Sequence, residues 1–203
     1  MPPRKTTDRL LGEMRRAYDL VEQRRADEAV SVYREVLAEA RKVGLDSAHL
    51  HWAFAVACDY SGEMEMAFEQ ISIAIGKDPL VPPFRHSFEV ITGRIQAALA
   101  DLERAADDAS TPRLYALLQR GGTVDVPSHL AMVRYHLATG KPAEARALAD
   151  AVTLLHPASR EAWEAKAAVA KATGDAAGAE QARLEAAALQ EEPAFAIPGP
   201  ASA

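Results

Sequence analysis

The stretch that decides the fold is Val126–Ser159, VPSHLAMVRYHLATGKPAEARALADAVTLLHPAS. Gly140 divides it into two segments of helix-forming residues, and Pro157 closes the second segment. Glycine ends a helix readily because it adopts the left-handed backbone conformation, and proline cannot continue a helix. Ala145, five residues after Gly140, is small enough to stand where two helices touch. The stretch therefore predicts two helices joined by a tight turn.

The same spacing of glycine and alanine recurs along the chain. Gly174 lies 34 residues after Gly140 and is followed five residues later by Ala179. Gly62, with Ala67 five residues on, lies 78 residues before Gly140, which leaves room for one unit of 34 residues and one stretched unit of 44. A period of this size is typical of stacked helix pairs, in which each pair buries its apolar face against the next.

Three segments resemble tetratricopeptide repeats, and a fourth is a weaker match. The three are residues 48–81, 126–159 and 160–193, and the weaker one is residues 10–43. In the weaker match Arg24 replaces the turn glycine and Arg41 the closing proline. The resemblance covers about two thirds of the chain and implies an all-α, TPR-like α-solenoid. It also implies a concave wall, lined by the first helix of each pair, that binds other proteins.

The middle of the chain does not repeat. Its apolar residues follow one helical stripe and predict a single long helix over about residues 84–107. The stripe consists of Phe84, Phe88, Ile91, Ile95, Ala98, Leu102 and Ala105. Thr111 and Pro112 then start a short helix that ends at Gly121 and Gly122, and Asp125 restarts the repeats.

The expected organisation follows from the repeats and the stripe. We expect a disordered N-terminus over residues 1–9, two repeats over 10–81, a degenerate unit with a long helix over 82–125, two repeats over 126–192 and a disordered tail over 193–203. No stretch between them is rich enough in glycine and proline to indicate a boundary between two domains.

The composition favours a helical protein and excludes several partners. Alanine, a strong helix former, makes up roughly a fifth of the 203 residues. With a formal net charge of −6 and no long basic run, the chain lacks the features of a protein that binds nucleic acid or an anionic membrane. No segment reads as a leader or a membrane span, and Cys58 is the single cysteine, so we expect a cytoplasmic protein.

Four candidate chemical sites each have a simpler structural interpretation. His49 and His51 point in different directions on a helix and cannot share a metal ion. Asp125, Ser128 and His129 carry the residue types of a hydrolase, but they lie where a helix starts. Glu161 and Glu164 are interpreted as solvated surface, and Cys58 as a buried thiol. We therefore expect no enzymatic activity, metal or cofactor.

The resemblance places the binding residues on the first helices. They are Tyr18, His49, Trp52, Val56, Tyr60, Arg134 and Leu137. Tyr60, Trp52 and Arg134 belong to the residue types enriched at binding hot spots. For Trp52, the alternative that it packs against the neighbouring unit is equally open.

The sequence favours a non-catalytic adaptor that binds a partner peptide or helix in the concave groove. One alternative is a cytoplasmic chaperone for a secreted client, and another is a homodimer assembled through the long middle helix. A monomer is expected in preference to the dimer. Repeats of this family that grip acidic chaperone tails use asparagine in the clamp, and this chain contains no asparagine.

Overall fold

A computed structural model describes residues 4–189 of the chain. Eleven helices and no strand are found in this range, which confirms the predicted all-α fold. The chain divides into two compact units, the first ending at Ile95 and the second beginning at Gln96. The sequence analysis did not predict this division, because the boundary falls inside a helix and leaves no change in composition.

The first unit is built from successive helices that pack on their neighbours. Its helices are α1 (Arg4–Glu22), α2 (Ala26–Lys42), α3 (Ala48–Ser61), α4 (Met64–Lys77) and the first part of α5 (Pro82–Ala100). Helix α1 packs on α2, α2 on α3, and α3 on α4, and α1 also touches α3. Residues 4–9 were expected to be disordered and instead form the first turns of α1, whose buried Leu10 anchors that end of the helix.

The second unit continues the pattern with shorter helices. They are α6 (Leu102–Asp107), α7 (Thr111–Gly121), α8 (Val126–Ala138), α9 (Pro142–Leu155), α10 (Arg160–Ala172) and α11 (Ala176–Ala188). A core cluster of Val133, Ala145, Ala149 and Val169 joins α8, α9 and α10. The predicted tail over residues 193–203 and residues 1–3 lie outside the described range.

A left-handed residue ends the first helix of each predicted pair. Gly62, Gly140 and Gly174 have φ values of 80°, 70° and 78°. After each of them, the next N–H bonds back to a carbonyl of the preceding helix; the Lys141 N–H, for example, donates to the His136 carbonyl at 2.8 Å. The alanine five residues after each glycine is buried, as the spacing predicts.

Arg24 occupies the corresponding place in the first pair. Its φ is 60°, the one positive value among the described non-glycine residues, and the N–H of Arg25 donates to the Leu20 carbonyl at 2.9 Å. Ala29, five residues on, is fully buried. The first pair thus makes the same turn without glycine, at the steric cost of a Cβ in the left-handed region.

Replacing Arg24 by glycine should raise the free energy of unfolding by about 1 kcal/mol, because it removes that steric cost and only part of the gain is offset by the greater freedom of glycine in the unfolded chain. Gly62→Ala, at the equivalent turn, is the matched control and should lower stability by a similar amount. Urea denaturation measures both. A destabilised Arg24→Gly variant would contradict this view of the turn.

The middle of the chain differs from the predicted single helix over residues 84–107. Helix α5 ends at Ala100, and a separate helix, α6, begins after Asp101. The Asp101 carboxylate accepts a hydrogen bond from the N–H of Arg104, so it caps α6. An aspartate that bonds to the backbone in this way competes with helix continuation, which explains the break.

The apolar stripe of α5 is covered within a single chain. Phe84, Ile91 and Ile95 are buried, and the Phe84 ring lies 5.9 Å from the Trp52 ring. The Phe88 ring lies 5.7 Å from that of Phe68 on α4. This burial leaves little of the stripe for the dimer that the sequence analysis considered.

Ile95→Glu should therefore unfold the chain, because it places a carboxylate in a fully buried position. Ala97→Glu, two residues away on the exposed side of α5, is the control and should keep the fold. Circular dichroism and light scattering measure fold and mass together. A folded Ile95→Glu protein with half the mass of the wild type would instead support the dimer.

Candidate functional site

The first helices of the first unit lie side by side. Helix α1 touches α3. Helix α3 is joined to α5 by the indole N–H of Trp52, which donates to the Ser87 hydroxyl at 2.9 Å, and by an ion pair between Asp59 and Arg94. We call the outer side of these three helices the α1–α3–α5 face. Its outward residues are Leu11, Tyr18, His49, Val56, Tyr60 and Val90.

Three of the predicted binding residues form one stripe on α3. His49, Val56 and Tyr60 follow one another at seven and four residues, which places them on the same side of a helix. His49 and Tyr60 are exposed, Tyr60 to 64% of its surface, and Val56 is half-buried. The opposite side of α3 carries the core residues Leu50 and Phe54.

Trp52 lies beside this stripe but is turned towards α5. It is half-buried, its ring packs on Phe84, and its N–H is bonded to Ser87. Of the two interpretations left open for this residue, the structure places it in the contact between helices. Its hydrogen-bonding group is already used, so it contributes apolar area to the edge of the face.

Arg94 connects the exposed Tyr60 to the buried Asp59. Its guanidinium donates to the Asp59 carboxylate at 3.0 Å and to the Asp59 backbone carbonyl at 3.2 Å, and lies 6.0 Å from the centre of the Tyr60 ring. The Asp59 side chain is only 11% exposed. Burial raises the pKa of the Asp59 carboxyl, and the positive charge of Arg94 opposes that rise.

Helix α1 adds a second aromatic side chain to the face. Tyr18 is 58% exposed, and Leu11, two turns before it, is equally exposed. Sequence analysis missed Leu11, Val90 and Arg94. The first could have been found from its spacing of seven residues to Tyr18, whereas the other two required knowing which side of α5 meets α3.

Arg134 and Leu137 belong to the second unit and are not part of this face. Arg134 is exposed on α8. Leu137 is partly buried and packs against the core cluster that contains Val133 and Ala145. Leu137 is therefore placed in helix packing, which the sequence could not distinguish from the outer side because α8 is apolar over much of its circumference.

The two neighbouring histidines point apart, as expected. His51 is fully buried, with Nδ1 2.7 Å from the Gln70 amide oxygen and Nε2 2.5 Å from a carboxylate oxygen of Asp46. Burial raises the pKa of Asp46, but hydrogen bonds from Lys77 and His51 outweigh it and lower that pKa. His51 thus ties α3 to α4 and to the loop before α3.

The other candidate chemical groups have structural roles. The Asp125 carboxylate accepts from the N–H of Ser128 and caps α8, while His129 Nδ1 lies 2.7 Å from the Tyr115 hydroxyl. Cys58 is buried, and this burial raises the pKa of its thiol to about 12. Within residues 4–189, no three histidine, cysteine or acidic side chains are grouped to hold a metal ion.

Comparison with known families identifies one of the predicted repeats. Residues 126–169, which contain α8, α9 and the start of α10, match the tetratricopeptide repeat family. The chain carries a tetratricopeptide repeat. The resemblance predicted from the spacing of Gly140 and Ala145 is thereby confirmed. A search of curated proteins found no match.

Two solved structures are similar to this repeat protein over most of their length. The structure described as MamA MSR-1 C2 is 17% identical, with 92% of this chain and 99% of that chain covered and a TM-score of 0.41. A tetratricopeptide repeat protein from Parabacteroides merdae is 13% identical, with 91% and 80% covered and a TM-score of 0.38. None of the helices among the described residues is long and apolar enough to cross a membrane.

Because the pKa of Asp59 is raised in the folded repeat protein, the folded state binds this proton more tightly than the unfolded chain. The contribution of Asp59 to stability should therefore fall as the pH rises above its unfolded pKa of about 3.9. Urea denaturation across this range should show the wild type losing stability relative to Asp59→Asn. A difference that stays constant or changes in the opposite direction would contradict the assignment.

Proposed function

We propose that the protein is a non-catalytic adaptor that binds a segment of another protein on the α1–α3–α5 face. The exposure of Tyr18 and Tyr60 carries this proposal. Two large aromatic side chains on neighbouring helices offer contact area at a low entropic cost, and each has a hydroxyl that can bond to a partner.

The surroundings of the two tyrosines support the same function. Leu11 and Val90 add exposed apolar surface, and Val56 is half-buried between the helices. A group of exposed apolar side chains within one face is more typical of an interaction surface than of a solvated one. Tetratricopeptide repeats bind protein partners as a family, which agrees with this assignment.

The remaining parts of the proposal follow from sequence and composition. We place the adaptor in the cytoplasm, as a monomer with a protein or peptide partner and with no nucleic acid or membrane ligand. The acidic net charge of −6 disfavours polyanions. The burial of Ile91 and Ile95 favours the monomer.

Tyr60→Ala should weaken partner binding by on the order of 2 kcal/mol, since exposed tyrosines at the centre of an interface are frequent hot spots. Stability should change by less than about 0.5 kcal/mol. The partner is isolated by affinity purification with the wild type, and calorimetry then measures its affinity for each variant.

Leu154→Ala on α9 is the matched control, because Leu154 is 81% exposed but lies outside the face. It should bind the partner as the wild type does. Two outcomes would count against the proposal. One is equal loss of binding in the Leu154 and Tyr60 variants, and the other is a Tyr60 variant that melts early yet binds normally.

A further inference from the structure

The chemistry of the α1–α3–α5 face restricts the conformation of what can bind there. The face is formed by the sides of helices, whose backbone N–H and C=O groups are bonded within each helix. It offers no strand edge. An extended segment lying across Tyr18, Val56 and Tyr60 would bury backbone groups without partners, and each such group costs about 1–3 kcal/mol. A helix bonds its own backbone groups and avoids this cost.

The charges of the face restrict the sequence of the occupant. The ion pair that borders Tyr60 is complete, because the Arg94 guanidinium is bonded to both the carboxylate and the carbonyl of Asp59. An acidic residue of a partner would have to compete with Asp59, and a basic one would meet the like charge of Arg94. The outward residues nearest to this pair, Tyr60 and Val90, are uncharged.

The dimensions of the face also suit a helix. Neighbouring helices pack about 8–10 Å apart, so three helices present a surface about 16–20 Å across. A helix rises 1.5 Å per residue, and about 11–14 residues span that distance. Apolar residues at every third and fourth position would contact Tyr18, Val56 and Tyr60 along one side.

From these three constraints we infer that the occupant is an amphipathic α-helix of a partner protein whose contacting stripe is apolar and uncharged. The inference rests on the proposed function, since it specifies what the same face binds. The two tyrosine hydroxyls bond to polar groups at the edge of the stripe, and the polar side of the partner helix remains in water.

Selection from a phage library of random 16-residue peptides tests the inference. The immobilised full-length chain is the target, and the Tyr18→Ala/Tyr60→Ala double variant removes peptides that bind elsewhere. We expect the selected peptides to carry apolar residues at helical spacing and to gain helical circular dichroism on binding. Raising NaCl from about 50 to 500 mM should change the Kd less than about twofold, because no ion pair forms with the partner.

Two control peptides separate a helix from an extended segment. Proline at the centre of a selected peptide should weaken binding at least about tenfold, because it breaks a helix. A peptide of the same composition, with apolar and polar residues alternating, should bind equally weakly.

The outcomes distinguish the inference from the proposed function. Selected peptides that tolerate the central proline, or that are acidic and lose affinity tenfold in salt, would overturn the helix while the face remained a binding site. If no peptide prefers the wild type over the double variant, both the inference and the proposed function are wrong.

Discussion

The left-handed turn at the end of each first helix is the constraint on which the rest of the structure depends. At Gly62, Gly140 and Gly174 the chain reverses within a few residues, and a buried alanine five residues later lets the two helices approach closely. The turn and the alanine together set the orientation of each pair. Once that orientation is set, the next first helix meets the previous one, as α3 meets α1 and α5.

This arrangement divides the side chains of a first helix between two tasks. On α3, the residues turned towards α5 are used for packing, since Trp52 is bonded to Ser87 and Asp59 to Arg94. The residues on the neighbouring side, His49, Val56 and Tyr60, are left facing outward. The same contact that joins the helices therefore keeps Tyr60 beside Arg94. Binding surface and packing surface are separated by about a quarter of a turn of the helix.

The fold was predictable because its turns leave a mark in the sequence that does not depend on distant contacts. Even Arg24, which lacks the expected glycine, was placed at the correct turn by spacing to the rest of the pattern. The end of α5 at Ala100 was not predicted, because the apolar stripe continues past Asp101 and hides the cap. For the face, periodicity identified Tyr18 and Tyr60. It could not separate Trp52 and Leu137 from them, because helix packing and partner binding both use apolar residues at the same spacing.

The central claim is that the α1–α3–α5 face binds the partner, and the ring signals of the tyrosines test it most directly. Tyr33 and Tyr115 are buried and serve as internal references for the exposed Tyr18 and Tyr60. NMR of the full-length protein with labelled tyrosine rings is recorded while the purified partner is added. The account predicts that the signals of Tyr18 and Tyr60 shift or broaden in proportion to binding while those of Tyr33 and Tyr115 stay in place. Saturating binding that leaves Tyr18 and Tyr60 unchanged would contradict it.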